Sequence, residues 1–467
     1  MPHLPRLVVR PRLAVGAVRD EADTQPMTWA LMAYLANRGL QVQHFLSRAC
    51  FTSCDGALGT TGLGSRHLDS WLMSRDLCRD IFAHAACVAD VSIVEGCYRP
   101  DQPGVLPLSN TEGPPSNAEG EAGLDVLGQW LGLPRIVVLD ARTLLDCKRP
   151  HLPGSADAIL IDQVADASEV AGFQTHFAAT AGLPVLGALE SLPEVRSAIG
   201  RLPGGAKLPP DLYRPLLDSF SRFARPGQLR SLATSRGFPA IRSSLFRGRV
   251  TRRRPLRVAV AYDEVFHCYF PDTLEALESL GASVVDFSPR RDERLPANVD
   301  IVYFGCGHPD RWAHELAANF CMMSALRNHA RQGRRIYAEG GGLAYLCQEL
   351  ITSDGQRHAM VGLLPARAWQ NLESSMPHPV ELRLARPTWL AESGTALRGY
   401  LNTRWRIEPV ETMAPLVSQA DHACDLLGFF NVVGSRVLLD FAARPEFLRR
   451  FFAPCRRPLA VSQQMLP

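Results

Sequence analysis

The stretch YAEGGGLAYL, Tyr337 to Leu346, has the composition of a strand, a tight turn and a helix start. That layout presents a nucleophile on a sharp elbow, with its attacking atom clear of the backbone. Gly340 occupies the tip, so no thiol or hydroxyl is available there to attack a carbonyl. A second group, Cys50 and Cys54 with His44 and His67, contains the ligand types of a metal site, although small buried thiols beside unrelated histidines are the expectation that outweighs it. A third is RGRVTRRRPLR, Arg247 to Arg257, which suits either a phosphate-binding stripe or a solvated interdomain linker; the linker is preferred.

The elements that must position these residues follow from composition and periodicity. A chain of 467 residues, 46% hydrophobic and 21% charged, suggests two or three globular domains. A formal net charge of +3 gives no ground for a nucleic-acid partner. Apolar runs such as RIVVLDA and DAILIDQV stop short of a membrane span, and Pro and Arg interrupt the N-terminal stretch where a signal peptide needs an unbroken apolar core. No membrane anchor and a cytoplasmic location are expected, which suits 12 cysteines without a CxxC pair. Short β-branched runs (PRLVV, QVQHF, DVSIVEG, LPRIVVLDA, DAILID, LPVLGAL) alternate with amphipathic stretches, the pattern of βαβ units and a parallel sheet. In MTWALMAYLANRGL, Leu31, Met32 and Leu35 share a helical face and Gly39 is placed to end the helix. The residues from Lys207 to Ser244 predict further helix, and Gln102 to Gly123 a loop rich in Pro, Gly and Ser. After the arginine-rich segment the pattern restarts with RVAVAYD and the helix PDTLEALESLGA, whose Pro271 fits a first turn. A final strand, turn, strand and closing helix are expected in GFFNVVGSRVLLDFAARPEFLRRFF.

The segments ALMAYLANRGLQVQHF, SRHLDSWLM, ADVSIVEG, AGLPVLGAL, FSPRRDERLP and GCGHPDRWAHELAANFCMMSALRNHARQGRRIYAEGGGLAYL resemble, in order and spacing, the cobyrinic acid a,c-diamide synthases. The likeness runs nearly end to end. It implies an α/β chain: a P-loop-NTPase-like parallel-sheet domain, similar to dethiobiotin synthetase, over residues 1–245, a linker over 246–255, and a class I glutamine-amidotransferase-like, flavodoxin-like α/β domain over 256–467. Members of that family turn side-chain carboxylates of a corrin precursor or related tetrapyrrole into amides.

Carried over residue by residue, the resemblance puts Asp23, Thr24, Gln25 and Pro26 where the family has the Gly-Lys-Thr-Thr end of its phosphate loop. Lysine and one N–H are thereby missing, and Asp20, Glu21 and Asp23 place negative charge where a triphosphate would lie. The family's G-P-D-Y-I-D-P motif falls on Arg48 to Cys54, without its carboxylates. Glu95 matches an acidic residue expected near Mg²⁺, while Tyr98-Arg99-Pro100-Asp101 replaces the stretch that should follow. The elbow nucleophile of the family is a cysteine where this chain has Gly340, and Leu438 and Asp440 stand where its late motif has histidines. Another motif, G-H-E-F-H, falls on Gly399 to Thr403. Cys306 in GCGHP, near the family's oxyanion hole, and His308 form a conceivable relocated pair, with a small residue packed in a glycine-rich turn as the preferred alternative. Arg10 and Arg12 are the candidates to replace the lysine's charge, against an exposed turn. Arg48, Arg66 and His67 suit propionate or acetate carboxylates, and Asp69 suits either a substrate role or the cap of a turn leading into a helix at Trp71.

The expected function is therefore a catalytically inactive relative that binds a tetrapyrrole or a protein partner, such as an active homologue, in a homodimer or heteromer. No cofactor is expected on that reading. The alternative is ATP- and Mg²⁺-dependent amidation of tetrapyrrole carboxylates with free ammonia or glutamine as nitrogen source.

Overall fold

A computed structural model describes residues 7–8, 11–18, 22–51, 54–99, 123–145, 152–153, 156–203, 205–239, 245–248, 250, 254–372, 377–410, 414–429 and 431–454. Arg10, Asp20, Glu21 and the expected loop 102–122 lie outside them. The chain divides into two units, Met1–Ser244 and Leu245–Pro467.

The first unit is built on seven parallel strands: β1 (Arg12–Val18), β2 (Val42–Leu46), β3 (Arg66–His67), β4 (Val91–Tyr98), β5 (Arg135–Asp140), β6 (Ala158–Val164) and β7 (Val185–Glu190). Their order across the sheet is β3-β2-β4-β1-β5-β6-β7, every pairing parallel. Parallel strands need crossovers that cover both faces, so their sequences are apolar runs rather than alternations. Helix α1 (Gln25–Ala36) supplies one cover and is buried continuously from Pro26 to Tyr34, wider than the single face read from Leu31, Met32 and Leu35. Gly39 follows it at φ 80°, a conformation that suits a residue without Cβ. The other crossovers include α2 (Arg75–Ala85), α3 (Leu124–Leu131) and α4 (Ala167–Thr180), and α5 (Pro210–Phe223) follows the last strand. Met27, Leu31, Ile93, Leu160, Leu186 and Phe220 belong to one core.

The second unit holds a six-stranded sheet from β8 (Leu256–Ala261), β10 (Ala282–Phe287), β11 (Ile301–Phe304), β13 (Arg335–Glu339), β20 (Leu426–Gly428) and β21 (Val432–Ser435). The order is β10-β8-β11-β13-β21-β20, parallel except for β20. Between these lie β9 (Phe266–Cys268), α6 (Pro271–Ser279), β12 (Cys306–Gly307), α7 (Phe320–Arg331) and α8 (Gly341–Leu346). Four strands, β14 (Cys347–Ile351), β15 (Arg357–Ala359), β16 (Leu364–Gln370) and β19 (Trp405–Pro409), form a second sheet in the order β15-β14-β16-β19. A third joins β17 (His378–Arg383), β18 (Ala396–Leu401) and β22 (Val437–Leu438), and α9 (Pro445–Phe451) closes the unit. Of the described residues in the arginine-rich segment, Val250 N–H donates to Leu280 O and Arg254 pairs with Asp300.

Candidate functional site

In the first unit, Asp23 and Thr24 lie between the end of β1 and α1, where open parallel sheets take ligands. Thr24 stands at the helix cap without making a side-chain cap bond. Its hydroxyl instead donates to Glu95 Oε1 at 2.7 Å, while Glu95 Oε2 meets His44 Nε2 at 3.0 Å. The chain of contacts ends at Ser65 Oγ, 2.9 Å from His44 Nδ1. Strand register explains the meeting: Leu46 lies opposite Glu95 and Phe45 opposite Arg66, so His44, Glu95 and Ser65 share a face. Desolvation raises the Asp23 carboxyl above the ordinary aspartate range although the residue reaches the surface, with a hydrogen bond from Gln25 N–H opposing the rise and Glu95 adding to it. Further along the same edge, Asp162 is buried and pushed up to about 6 although Arg196 Nη2 lies 2.5 Å from its Oδ1. Arg142 and Gln163 both donate to Asp140.

These residues do not fit a Mg²⁺–triphosphate group. Both oxygens of Glu95 are engaged by protein, Pro26 brings no N–H to the helix start, and no lysine replaces the missing charge at Asp23 to Pro26. Among the described residues no three His, Cys, Asp or Glu side chains converge as metal ligands, so Cys50, Cys54, His44 and His67 do not assemble a site either.

Arg12 corrects an expectation. It is fully buried at the start of β1, the opposite end of the strand from the ligand edge, and its guanidinium donates to the carbonyls of Leu131, Gly132, Arg236 and Gly237. It caps the end of α3, whose last carbonyls lack intrahelical partners, and burial lowers it to about 10. His67 also departs from its assigned role. It is buried, with Nε2 3.1 Å from Cys50 O, and burial pulls it down to about 3, so it carries no charge for a carboxylate at neutral pH. Asp69 is fully buried and accepts from the N–H groups of Ala49, Trp71 and Leu72. It pins a turn, as one of its two readings held, but the helix begins at Arg75 behind a Ser74 cap rather than at Trp71. Arg48 and Arg66 are both half-buried.

In the second unit the elbow is present. Strand β13 ends at Glu339, Gly340 adopts φ 49° and ψ −107°, and α8 starts at Gly341. A Cβ on Gly340 would lie 2.6 Å from Cys306 Sγ and 3.5 Å from Asn402 Nδ2. The thiol of Cys306 fills the volume beside the elbow tip, hydrogen-bonded to Gly341 N–H and the Asn402 amide, and burial raises it well above the ordinary thiol range. His308, two residues on in the chain, is held as a weak base. Its ring lies 5.9 Å from that of His267, and burial, followed by the charges of Arg404 and Arg311, lowers it to about 3. Leu438 is buried and pairs with Tyr400 across β18 and β22. Asp440 is buried and accepts from Thr273 Oγ1 and Ala442 N–H.

One group escaped the reading of the sequence. Glu339, directly before the elbow glycine, is buried and pushed up to about 8, first by burial and also by Asp440, while Tyr337 O–H and Leu439 N–H donate to it. Asp440 itself rises to about 7, again chiefly by burial. The visible signal was an acidic residue at the end of an apolar strand.

A family model described as the CobB/CobQ-like glutamine amidotransferase domain matches residues 257–400. The cobyrinate a,c-diamide synthase of Syntrophotalea carbinolica is 28% identical to this chain over 473 residues, covering 96% of this chain and 99% of the relative. That of Magnetococcus marinus is 30% identical over 371 residues, 76% of each chain, and that of Salmonella typhimurium 26% identical over 456 residues, 93% and 95%.

Proposed function

The chain belongs to the cobyrinate a,c-diamide synthase family, and we propose that it binds a cobyrinate-like tetrapyrrole polycarboxylate without releasing ammonia from glutamine. The observation that carries this reading is at the elbow: Gly340 brings no nucleophile, and the volume a Cβ would need lies 2.6 Å from the Cys306 sulfur. Thiolate and imidazole act together in covalent acyl transfer, and neither the Gly340 nor the Leu438 position offers one. On this reading Arg48 and Arg66 meet the ligand's carboxylates, since guanidinium groups bind planar anions bidentately. Assembly with a second copy or an active homologue belongs to the same proposal.

Relatives of the same name align over nearly the whole chain, and this favours a second reading: ATP-dependent amidation of tetrapyrrole carboxylates with free ammonia, nucleotide being held by groups other than Asp23 to Pro26 and Arg12. One experiment separates the two. The protein is incubated with a tetrapyrrole acid, ATP and Mg²⁺, with glutamine or ammonia, and ADP, glutamate and the visible absorption band are followed. A saturable band shift with neither ADP nor glutamate is the expected result. ADP that depends on both tetrapyrrole and ammonia establishes the second reading, and glutamate released from glutamine overturns the first.

A further inference from the structure

Strands β9 and β12 form a two-stranded antiparallel ribbon in which Cys268 lies opposite Cys306, with an irregularity of register between Phe266 and Cys268. Residues opposed in such a pair have Cα atoms about 4.5–5.5 Å apart, inside the range of about 4.4–6.8 Å that a disulfide spans. Bulges of this kind re-aim a side chain. Among the described residues no other two cysteines are opposed across a strand pair. The Cys306 thiol is buried and Cys268 half-buried, so an oxidant reaches the pair through Cys268. The two thiols are near enough for Cys268 to contribute to the raised pKa of Cys306. Cys306 also fills the space beside Gly340 and takes hydrogen bonds from Gly341 N–H and Asn402.

We propose that Cys268 and Cys306 are a thiol/disulfide pair, and that its oxidation withdraws the Cys306 sulfur from the elbow and frees the Gly341 and Asn402 N–H donors. With glutathione disulfide as oxidant, the Cys268 thiolate attacks one glutathione sulfur and expels the other glutathione as thiolate. Cys306 then gives its proton to solvent and attacks the Cys268 sulfur, expelling the second glutathione. One S–S bond is made in the protein and one broken in the oxidant. Two protons leave the protein thiols, and two electrons pass to glutathione. The oxidised elbow then offers two N–H donors to a carbonyl or carboxylate oxygen, where the reduced one offers a sulfur plug. The device is independent of the tetrapyrrole reading.

The test uses the full chain, incubated with glutathione disulfide, alkylated, digested and read by mass spectrometry. The exposed thiols Cys87, Cys97 and Cys321 serve as internal controls. The expected product is a Cys268–Cys306 linked peptide that dithiothreitol reverses. Amide hydrogen exchange at Gly341 should rise at least severalfold in the oxidised protein. A free Cys306 beside a glutathionylated Cys268, or two free thiols while the controls react, overturns the pair. A linked peptide with unchanged exchange at Gly341 overturns the opening. Cys268→Ser, away from the elbow tip, should abolish the change in exchange; its persistence in that variant would also sink the proposal.

Discussion

At the scale of single residues, Gly340 and Cys306 read as one unit of volume. A side chain on the elbow and a sulfur on the facing strand exclude each other at 2.6 Å. Gly340→Cys should therefore destabilise by about 1–3 kcal/mol through overpacking and strain at a positive φ. Cys306→Gly placed in the same chain should recover a large part of that loss, so the two changes are non-additive in urea denaturation. Additive losses would show that the contact does not govern the site. Glu339 gives a second residue-level prediction. Its carboxyl and that of Asp440 are held at about 8 and about 7, above the roughly 4 of unfolded acids. The native state thus binds these protons more tightly, and the associated stability is full below the unfolded values and is lost as pH rises through the folded ones. The melting temperature should fall from pH 5 to pH 8, and Glu339→Gln, which keeps an acceptor for Tyr337, should flatten that fall. Because Asp162 and Asp23 titrate in the same direction, the slope of the variant against that of the parent is the quantity to compare. Equal slopes would remove Glu339 from the account.

At the scale of elements, the guanidinium of Arg12 joins the start of β1 to the end of α3 and to the turn at Arg236 and Gly237. A buried group with four carbonyl partners costs more to remove than any one bond is worth, because the acceptors stay buried. Arg12→Ala should lose about 2–4 kcal/mol of stability, while ATP should leave the melting temperature of parent and variant unchanged. An ATP-induced rise in the parent that the variant lacks would return Arg12 to a phosphate role. Most of the element order was legible in the sequence because parallel strands covered on both faces must be apolar runs, as in RIVVLD and AILIDQV, but the strand Arg12–Val18 was not, since the arginines and proline of VVRPR read as a turn after an earlier strand. The start of α2 was not, because Asp69 and Ser74 both bear capping side chains and only the packed turn shows which one begins a helix.

At the scale of the whole molecule, two α/β units on separate cores retain the layout of an amidotransferase-ligase family. On the proposed reading, neither Asp23 to Pro26 nor Gly340 supplies the groups that phosphate binding and covalent glutamine cleavage require. Glutamine turnover should accordingly lie at least about 10³-fold below that of an active relative, the scale on which loss of a nucleophile acts. Release of glutamate is the measurement. Turnover near that of the relative would show a rebuilt glutaminase and revise the reading of Cys306.

The sequence by itself determined the two α/β units, the elbow, and the absence of cysteine at its tip, because covalent identity and apolar periodicity are local properties. It did not reveal the joining of His44 to Glu95, the buried pair of Glu339 and Asp440, or the sulfur of Cys306 beside Gly340. Those depend on which strands become neighbours and in what register. Arg12 makes the same point: one basic residue in an arginine-containing turn reads alike whether it faces phosphate or four carbonyls, and only the packed helix end behind it decides.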